Sequence, residues 1–261
     1  MTEVESRSVM AAKRRPARPV ALVTGGSRGI GAAIANQLVL DGCRVGIIDR
    51  RAPEADDASS EQGEQAANLV FMKADIRETG ELSEAVDVIS RRLGSIDILV
   101  NNAAETPETN FWDITEDEWD NVLVTNLRSC VMLIQMVCPS MVNAGWGRVI
   151  NVASIAAQRG EGVSGCHYAA SKAGMIAVTK TVAVELAGFG VTVNAVAPAA
   201  IRTPVTEQMD DDKLIKMKAG IPVGRFGNAT DVSELVGLLC GDGGGFITGA
   251  TLDVNGGLLM R

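Results

Sequence analysis

A tyrosine and a lysine lie four positions apart in this chain, at Tyr168 and Lys172, and Tyr168 is its only tyrosine. On an α-helix, residues i and i+4 lie on the same face, so the phenol and the ammonium can approach each other. The positive charge favours the ionised phenol and lowers its pKa from about 10 toward the range of general acid–base catalysis. The same spacing also occurs where a buried aromatic residue precedes a solvated lysine. The pair therefore indicates catalysis only if the chain also builds a binding site beside it.

A glycine-rich turn at residues 24–31, Thr-Gly-Gly-Ser-Arg-Gly-Ile-Gly, lies between a predicted strand and a predicted helix. Glycines at positions 25, 29 and 31 let the backbone turn sharply, approach a pyrophosphate and pack the helix against the strand. The helix N-terminus then offers free N–H groups and a partial positive charge to the anion. The turn predicts a dinucleotide site, although it matches neither the strict Gly-x-Gly-x-x-Gly pattern nor a nucleoside-triphosphate loop.

The choice of dinucleotide depends on Asp49, which ends the second predicted strand eighteen residues after Gly31. A carboxylate there can accept hydrogen bonds from the adenosine ribose hydroxyls and would repel a 2′-phosphate. Arg28 and Arg50 favour the opposite choice, because guanidinium groups pair well with phosphate. Since the carboxylate is placed at the ribose itself, we expect NAD(H) to be favoured over NADP(H).

From Pro19 onward, short apolar runs alternate with helical patterns. Nearly continuous apolar runs are typical of strands buried on both faces, and they occur at 20–24, 44–49, 69–74, 96–101, 148–153, 191–197 and 250–254. Helical patterns occupy 31–40, 81–92, 116–143, 168–186 and 231–240. Strands separated by helices imply right-handed crossovers. We predict a single α/β domain over residues 19–261, a Rossmann-type doubly wound parallel sheet of about seven strands with helices on both faces.

Three segments depart from this alternation. Residues 1–18 carry five basic and two acidic side chains without a following apolar stretch, and we expect a disordered leader. Residues 52–65 are polar, which predicts a surface loop with a short helix. Residues 199–228 hold Pro204 and Pro222 between a strand and the last helix. A long segment at the carboxyl end of a strand is the place for a substrate lid, and a plain surface excursion is the alternative.

Composition excludes several classes of protein. The net charge of −8 disfavours binding to nucleic acid, and no run approaches the roughly 18 apolar residues that span a membrane. Five scattered cysteines and a single histidine, His167, form no metal-site or disulfide spacing, which indicates reduced thiols in the cytoplasm. Adjacent helical residues face different ways, so we expect His167 at the surface or in a subunit interface. Met132, Met136 and Met141 follow apolar spacing and indicate core or subunit contacts.

Together these features closely resemble the short-chain dehydrogenase/reductase family, in its short single-domain branch. The matching motifs follow the family's order from about Pro19 to Gly257: the turn at 24–31, Asp75-Ile76, Asn101-Asn102-Ala103-Ala104, Asn126, Ser154, Tyr168 with Lys172, Pro198 with Thr203, and Asn255-Gly256-Gly257. The resemblance implies an oxidoreductase that transfers a hydride between a nicotinamide cofactor and a secondary alcohol or ketone.

The resemblance also implies a role for each catalytic residue. Tyr168 would be the general acid/base, and Ser154 would hold the substrate oxygen. Lys172 would lower the tyrosine pKa and bind the nicotinamide ribose, and Asn126 would hold a water that links Lys172 to solvent. The implied cofactor contacts are Gly25, Ser27, Arg28, Gly29, Ile30, Gly31, Asp49, Arg50, Asp75, Ile76, Asn102, Ala103, Tyr168, Lys172, Pro198, Ile201 and Thr203.

The chain departs from the family pattern at Ala104 and Ala199, where glycine is typical. Each alanine adds a methyl group close to the expected cofactor path. We expect these changes to affect the geometry of the site, because neither removes a chemical group.

Within the family, the chain is most similar to 3-oxoacyl-[acyl-carrier-protein] reductase-like members, which usually prefer NADPH and offer a basic surface to an acidic carrier. Asp49 and the acidic body suit that role less well, so a catabolic dehydrogenase for a sugar, polyol, steroid or xenobiotic alcohol is at least as well supported. A non-catalytic dinucleotide sensor would lack Tyr168, Lys172 or Ser154, and all three are present. Relatives commonly form tetramers, so we expect a homotetramer or a homodimer.

Overall fold

Seven parallel strands form one sheet in the computed structural model, which describes residues 14–52, 68–160, 164–202 and 211–260. The strands are β1 (Val20–Thr24), β2 (Arg44–Asp49), β3 (Leu69–Lys73), β4 (Ile98–Asn101), β5 (Gly147–Val152), β6 (Val191–Pro198) and β7 (Thr251–Val254). Their order is β3-β2-β1-β4-β5-β6-β7. The chain reverses its winding between β1 and β4, and open α/β sheets bind ligands at such a switch point.

Helices cover both faces of the sheet. They are α1 (Gly29–Leu40), α2 (Thr79–Leu93), α3 (Glu116–Leu123), α4 (Ser129–Ala144), α5 (Ala156–Arg159), α6 (Cys166–Leu186), α7 (Asp211–Ala219) and α8 (Ala229–Cys240). The apolar sides of α2, α4 and α6 pack on one face of the sheet, and those of α1 and α8 pack on the other. The predicted doubly wound, single-domain α/β fold is confirmed.

The strand sequences explain why the sheet is buried from both sides. Along β1, Val20 and Leu22 enter one apolar core while Ala21 and Val23 enter the other, because successive strand residues point to opposite faces. Every residue of β1, β5 and β6 is buried. A continuous apolar strand is therefore required, which is the pattern that the sequence shows.

Predicted and observed elements agree closely, but α5 and α7 match no predicted helical pattern, and the long pattern at 116–143 is not one continuous α-helix. That run is divided by a π-helical turn, Val124–Arg128, between α3 and α4. The predicted loop at 52–65 lies outside the described residues apart from Ala52.

Residues 116–144 also form a helical run long and apolar enough to cross a membrane by length and composition. Half of its apolar window is buried within the protein, and Leu133, Val137 and Met141 lie in the core. The run is therefore a core helix packed on the sheet.

Two predicted segments lie partly outside the described residues. In the predicted leader, residues 1–13 lie outside them, whereas Arg15 donates a hydrogen bond to the Asp41 carbonyl at 3.1 Å. In the predicted lid, residues 203–210 lie outside them, and α7 follows. The lid function of this segment stays a prediction.

Close packing at Gly31 joins the first helix to the sheet. A Cβ atom at this position would lie 2.0 Å from the Gly25 carbonyl oxygen and 2.5 Å from the Asn102 side-chain nitrogen. Such contacts cannot be relieved without moving the backbone of the glycine-rich turn. Gly25 itself has a φ of +63°, in the left-handed region that favours glycine.

We expect Gly31→Ala to lower the free energy of unfolding by about 2–4 kcal/mol, because the added methyl overpacks the turn. Urea denaturation followed by circular dichroism measures the change. Gly80→Ala in the first turn of α2 is the matched control, since a Cβ there meets nothing within 4 Å. That control should be neutral or stabilising by up to about 1 kcal/mol. Equal effects of the two substitutions would contradict the packing argument.

Candidate active site

A groove of about 270 Å³ opens at the carboxyl ends of β1, β2, β3 and β4, at the switch point. Eleven of the predicted cofactor residues line it: Gly25, Arg28, Gly29, Ile30, Gly31, Asp49, Arg50, Asp75, Ile76, Asn102 and Ala103. Sequence reasoning missed Ile48, Arg51, Ala74 and Thr125, which also line the groove. Arg51 could have been found, since it directly follows Asp49-Arg50 at the end of β2.

The groove suits the pyrophosphate of a dinucleotide. Helix α1 begins there after Arg28, whose side chain has no acceptor for the N–H groups of the helix, and its first turn holds no acidic side chain. The N–H groups of this turn therefore stay available to an anion, and the helix dipole favours negative charge there. The close contacts at Gly31 leave no room for a side chain between the turn and the helix.

Asn102 connects the glycine-rich turn to the end of β4. Its side-chain nitrogen donates to the Thr24 and Gly25 carbonyls, each at 3.0 Å. The backbone N–H groups of Asn102 and Ala103 donate to the Thr24 hydroxyl at 3.0 and 3.1 Å. Asn102, expected along the ribose, therefore also braces the turn that faces the pyrophosphate position.

Asp49 is engaged by the protein backbone at the rim of the groove. Its two carboxylate oxygens accept hydrogen bonds from the Ser27 N–H at 3.2 Å and the Arg51 N–H at 3.1 Å. The Ser27 hydroxyl donates to the Arg51 carbonyl at 2.7 Å, and Ser27 is buried rather than exposed to the groove. The Asp49 carboxylate therefore organises the loop after β2.

The charges on the rim favour an anion. Guanidinium groups of Arg28, Arg50 and Arg51 line the groove against the carboxylates of Asp49 and Asp75. Asp75 is held by Arg77, whose guanidinium lies 2.7 Å from the carboxylate and lowers its pKa by hydrogen bonding. The negative charge of Asp75 is therefore largely neutralised by Arg77. The electrostatic potential at the rim is set mainly by Arg28, Arg50 and Arg51.

Tyr168 lies in the first turn of α6, next to Ser154 at the carboxyl end of β5. Burial raises the pKa of Tyr168, and hydrogen bonds with Ser154 and Thr106 oppose that shift. The Ser154 hydroxyl also accepts a hydrogen bond from the Ala156 N–H at 3.1 Å, at the start of α5. Thr106 was not found from the sequence, because it lies far from Tyr168 along the chain and belongs to no motif.

The pKa of Tyr168 is raised by burial, and the groups that oppose this shift are Ser154 and Thr106; the predicted lowering by Lys172 stays a prediction. The ammonium lies 5.8 Å from the centroid of the tyrosine ring and donates to the Val152 carbonyl at 2.6 Å. Lys172 is fully buried, and this burial lowers its own pKa to about 8. Burial thus raises the pKa of Tyr168 and lowers that of Lys172.

Asn126 lies in the π turn between α3 and α4 and is buried. Its side-chain oxygen accepts from the Glu105 N–H at 2.8 Å, and its nitrogen donates to the Glu105 carbonyl at 2.9 Å and to the Ser171 hydroxyl at 3.0 Å. Ser171 in turn donates to the Tyr168 carbonyl at 2.7 Å. Asn126 therefore joins the loop after β4 to the helix that carries Tyr168, and its water-holding role stays a prediction.

Two of the residues expected to contact the nicotinamide, Pro198 and Ile201, lie at different places in the structure. The Pro198 carbonyl accepts a hydrogen bond from the Ile155 N–H at 2.9 Å, which places the end of β6 beside the Ser154 segment. Ile201 is buried and lines a second pocket with Ile221 and Gly227. Thr203 lies outside the described residues.

His167 is fully buried, so its predicted surface or interface position is wrong. Its Nε2 lies 3.0 Å from the Glu118 carboxylate, which also accepts a hydrogen bond from Thr109. The Gly165 N–H donates to the Pro107 carbonyl at 2.9 Å. These contacts fasten the segment after β4 to the start of α6, an arrangement that adjacent positions in a helix could not reveal.

Comparison with known proteins places this geometry in a family. A family model described as enoyl-(acyl carrier protein) reductase matches residues 25–259. The 3-oxoacyl-[acyl-carrier-protein] reductase FabG of Staphylococcus epidermidis is 39% identical over 92% of this chain and 98% of its own length. The FabG reductase of Escherichia coli is 37% identical over 92% and 97% of the two chains. The chain belongs to the short-chain dehydrogenase/reductase family.

A solved structure agrees with this family assignment. The crystal structure of a 3-oxoacyl-[acyl-carrier protein] reductase from Brucella melitensis matches with a TM-score of 0.84 and 30% identity, over 100% of this chain and 98% of the other. As a member of the family, the protein is an oxidoreductase that acts on a ketone or alcohol.

The expectation that NAD(H) is favoured over NADP(H) is wrong, because the relatives are 3-oxoacyl-[acyl-carrier-protein] reductases, which depend on NADPH. The structure gives a physical reason. The Asp49 carboxylate accepts backbone hydrogen bonds, and Arg28, Arg50 and Arg51 line the same groove. A carboxylate in this setting repels a 2′-phosphate less than the sequence position alone suggests.

We expect Asn126→Ala to lower the free energy of unfolding by about 2–4 kcal/mol, because it removes three hydrogen bonds that the buried Asn126 side chain makes to the Glu105 backbone and the Ser171 hydroxyl. Chemical denaturation measures the loss. Asn121→Ala is the matched control, since Asn121 is exposed and makes one long contact with Arg77 at 3.4 Å. Its effect should stay within about 0.5 kcal/mol. A small loss for Asn126→Ala would show that the hydrogen bonds of the Asn126 side chain contribute little to stability.

The buried Lys172 predicts a pH dependence of stability between about pH 8 and 10.5. A lysine whose pKa is lower in the folded protein binds its proton more weakly there. Stability is therefore lost as the pH falls from 10.5 to 8 and changes no further below. Over this range the free energy of unfolding of the wild type should fall by about 3 kcal/mol more than that of Lys172→Met.

Denaturation curves at several pH values measure this difference. Lys180→Met, at an exposed position on the same helix, should follow the wild-type pH profile. Parallel profiles for wild type and Lys172→Met would contradict the lowered pKa.

Proposed function

We propose that this protein is an NADPH-dependent cytoplasmic reductase of 3-oxoacyl thioesters, which forms the corresponding 3-hydroxyacyl product. The observation that carries the proposal is the hydrogen bond between Tyr168 and Ser154 at the carboxyl end of β5, the strand next to β4, whose own carboxyl end lines a groove that suits a dinucleotide. The similarity to 3-oxoacyl-[acyl-carrier-protein] reductases over more than nine tenths of the chain supports this substrate class.

In the proposed reaction, Tyr168 donates the proton and Ser154 holds the reacting oxygen. The raised pKa of Tyr168 keeps the phenol protonated at neutral pH, which suits donation to a ketone oxygen. Lys172, with a pKa of about 8, carries its proton at pH 7 and favours the negative charge that develops on the phenol. NADPH would supply the hydride to the carbonyl carbon.

The same chain residues would hold the dinucleotide. The N-terminus of α1 and the glycine-rich turn would bind the pyrophosphate through backbone N–H groups. The guanidinium groups of Arg28, Arg50 and Arg51 would pair with the 2′-phosphate. Segment 199–228 would cover the substrate.

An assembly of two or four copies is supported by an apolar groove between α4 and α6, lined by Val131, Ile134, Pro139, Val142, Val178, Val182 and Leu186.

A second candidate is reduction of a ketone that is not carried by an acyl carrier protein. Residues 108–120 carry six acidic and no basic side chains. This segment is fastened beside Tyr168 through the contacts of His167 and Glu118. An acidic carrier would be repelled there, whereas a small thioester or free ketone would not.

Turnover of acetoacetyl-CoA and of acetoacetyl carrier protein, followed by NADPH absorbance, tests both candidates. We expect Tyr168→Phe to lower kcat by at least about 10²-fold, since the proton donor is lost while the ring remains. The dissociation constant for NADPH should stay within about twofold of wild type. Thr181→Ala, at an exposed position on the same helix, is the matched control and should retain full activity.

Turnover by Tyr168→Phe at a rate near wild type would refute the proposed proton donor. A wild-type protein that binds neither dinucleotide would refute the reductase function altogether. Efficient use of the carrier-bound substrate would exclude the second candidate.

A further inference from the structure

Arg50 lies at the rim of the dinucleotide groove and contacts carboxylates on both sides of it. Its Nη2 atom is 3.1 Å from Glu105 Oε1, and its Nη1 atom is 4.0 Å from Asp75 Oδ2. Arg50 follows β2, Asp75 follows β3 and Glu105 follows β4, so the Arg50–Glu105 pair passes over the end of β1. The guanidinium therefore has a partner within the protein at the place where the adenosine end of a dinucleotide would lie.

Glu105 is the main partner of Arg50, because Asp75 is committed elsewhere. The Arg77 guanidinium makes three contacts of 2.7 to 3.1 Å with the Asp75 carboxylate. The 4.0 Å contact between Asp75 and Arg50 is long for a hydrogen bond. Only Glu105 offers Arg50 a carboxylate at hydrogen-bond distance among the described residues.

The backbone of Glu105 is fixed independently of its side chain. Both its N–H and its carbonyl are bonded to the Asn126 side chain, at 2.8 and 2.9 Å. The Glu105 carboxylate is thus held within reach of Arg50. A substitution that changes only the Glu105 side chain leaves both hydrogen bonds to Asn126 in place. The sequence shows Glu105 only as the residue after Asn101-Asn102-Ala103-Ala104 and gives no indication of this contact.

The Arg50–Glu105 pair is accessible to solvent and can be exchanged. The side chains are 49% and 29% exposed, so the pair contributes little to stability and is screened by salt. A phosphate dianion carries more charge than a carboxylate and offers more oxygens to a guanidinium. Binding of a 2′-phosphate at Arg50 would therefore require Glu105 to give up this partner.

We propose that Glu105 is a specificity-determining residue whose carboxylate competes with the 2′-phosphate of NADP(H) for Arg50. The competition lowers the affinity for NADPH and leaves the affinity for NADH nearly unchanged, since NADH has no 2′-phosphate. This inference rests on the proposed function, because it needs a dinucleotide in the groove.

The test is the dissociation constant of the full-length Glu105→Gln variant for NADPH and NADH, measured by fluorescence titration at low ionic strength without substrate. We expect NADPH to bind about three- to tenfold more tightly than to wild type. The change for NADH should stay below about twofold. Adenosine 2′,5′-bisphosphate, which carries the 2′-phosphate without nicotinamide, should gain like NADPH. The gain should shrink at high salt.

Two further variants separate this competition from a general change of charge. Glu108→Gln removes one negative charge from the same loop and should leave the NADPH to NADH ratio unchanged. Arg50→Gln should weaken NADPH binding, and adding Glu105→Gln to it should bring no further gain. Such non-additivity is the expected sign of two residues acting through one contact.

Equal tightening for NADPH and NADH, or none for either, would overturn the inference. So would the same gain in the Arg50→Gln background. Failure of the proposed function looks different, because the wild-type protein would then bind neither dinucleotide. Thermal unfolding of each variant checks that the fold is intact.

Discussion

The close contact between the loops after β1 and β4 is the constraint on which the rest of the site depends. Gly31, Gly25 and Asn102 meet so tightly that no side chain fits between them, and Thr24 accepts two backbone hydrogen bonds from the β4 loop. This contact sets the direction of α1 and thereby aims its N-terminus into the groove. It also fixes the start of the segment that continues through Glu105 and Thr106 to the active site.

Burial governs the electrostatics around Tyr168. Desolvation raises the pKa of the phenol and lowers that of Lys172, so burial favours the neutral form of both groups. The Lys172 ammonium lies 5.8 Å from the centroid of the Tyr168 ring and donates a hydrogen bond to the Val152 carbonyl. Asn126 keeps this region in register, since it bonds to the β4 loop and to α6 together. The position of the β4 loop and that of the helix that carries Tyr168 are thus linked through one side chain.

The rim of the groove shows how a motif can mislead when its partners are unknown. Asp49 at the end of β2 predicts a ribose-binding carboxylate, yet its oxygens accept hydrogen bonds from Ser27 and Arg51. The neighbouring guanidinium groups then favour a phosphate. Arg50 in turn is engaged by Glu105, a residue fifty-five positions away in the chain. The preference between NAD(H) and NADP(H) depends on the balance of these charges.

The sequence by itself determined the fold, because apolar periodicity and glycine-rich turns are local properties. It also located eleven of the groove residues, since carboxyl ends of parallel strands meet at one edge. Only the tertiary structure decided the burial of His167, the Thr106 contact and the shifts of both pKa values. Those depend on desolvation and on partners far apart in sequence, and neither leaves a pattern along the chain.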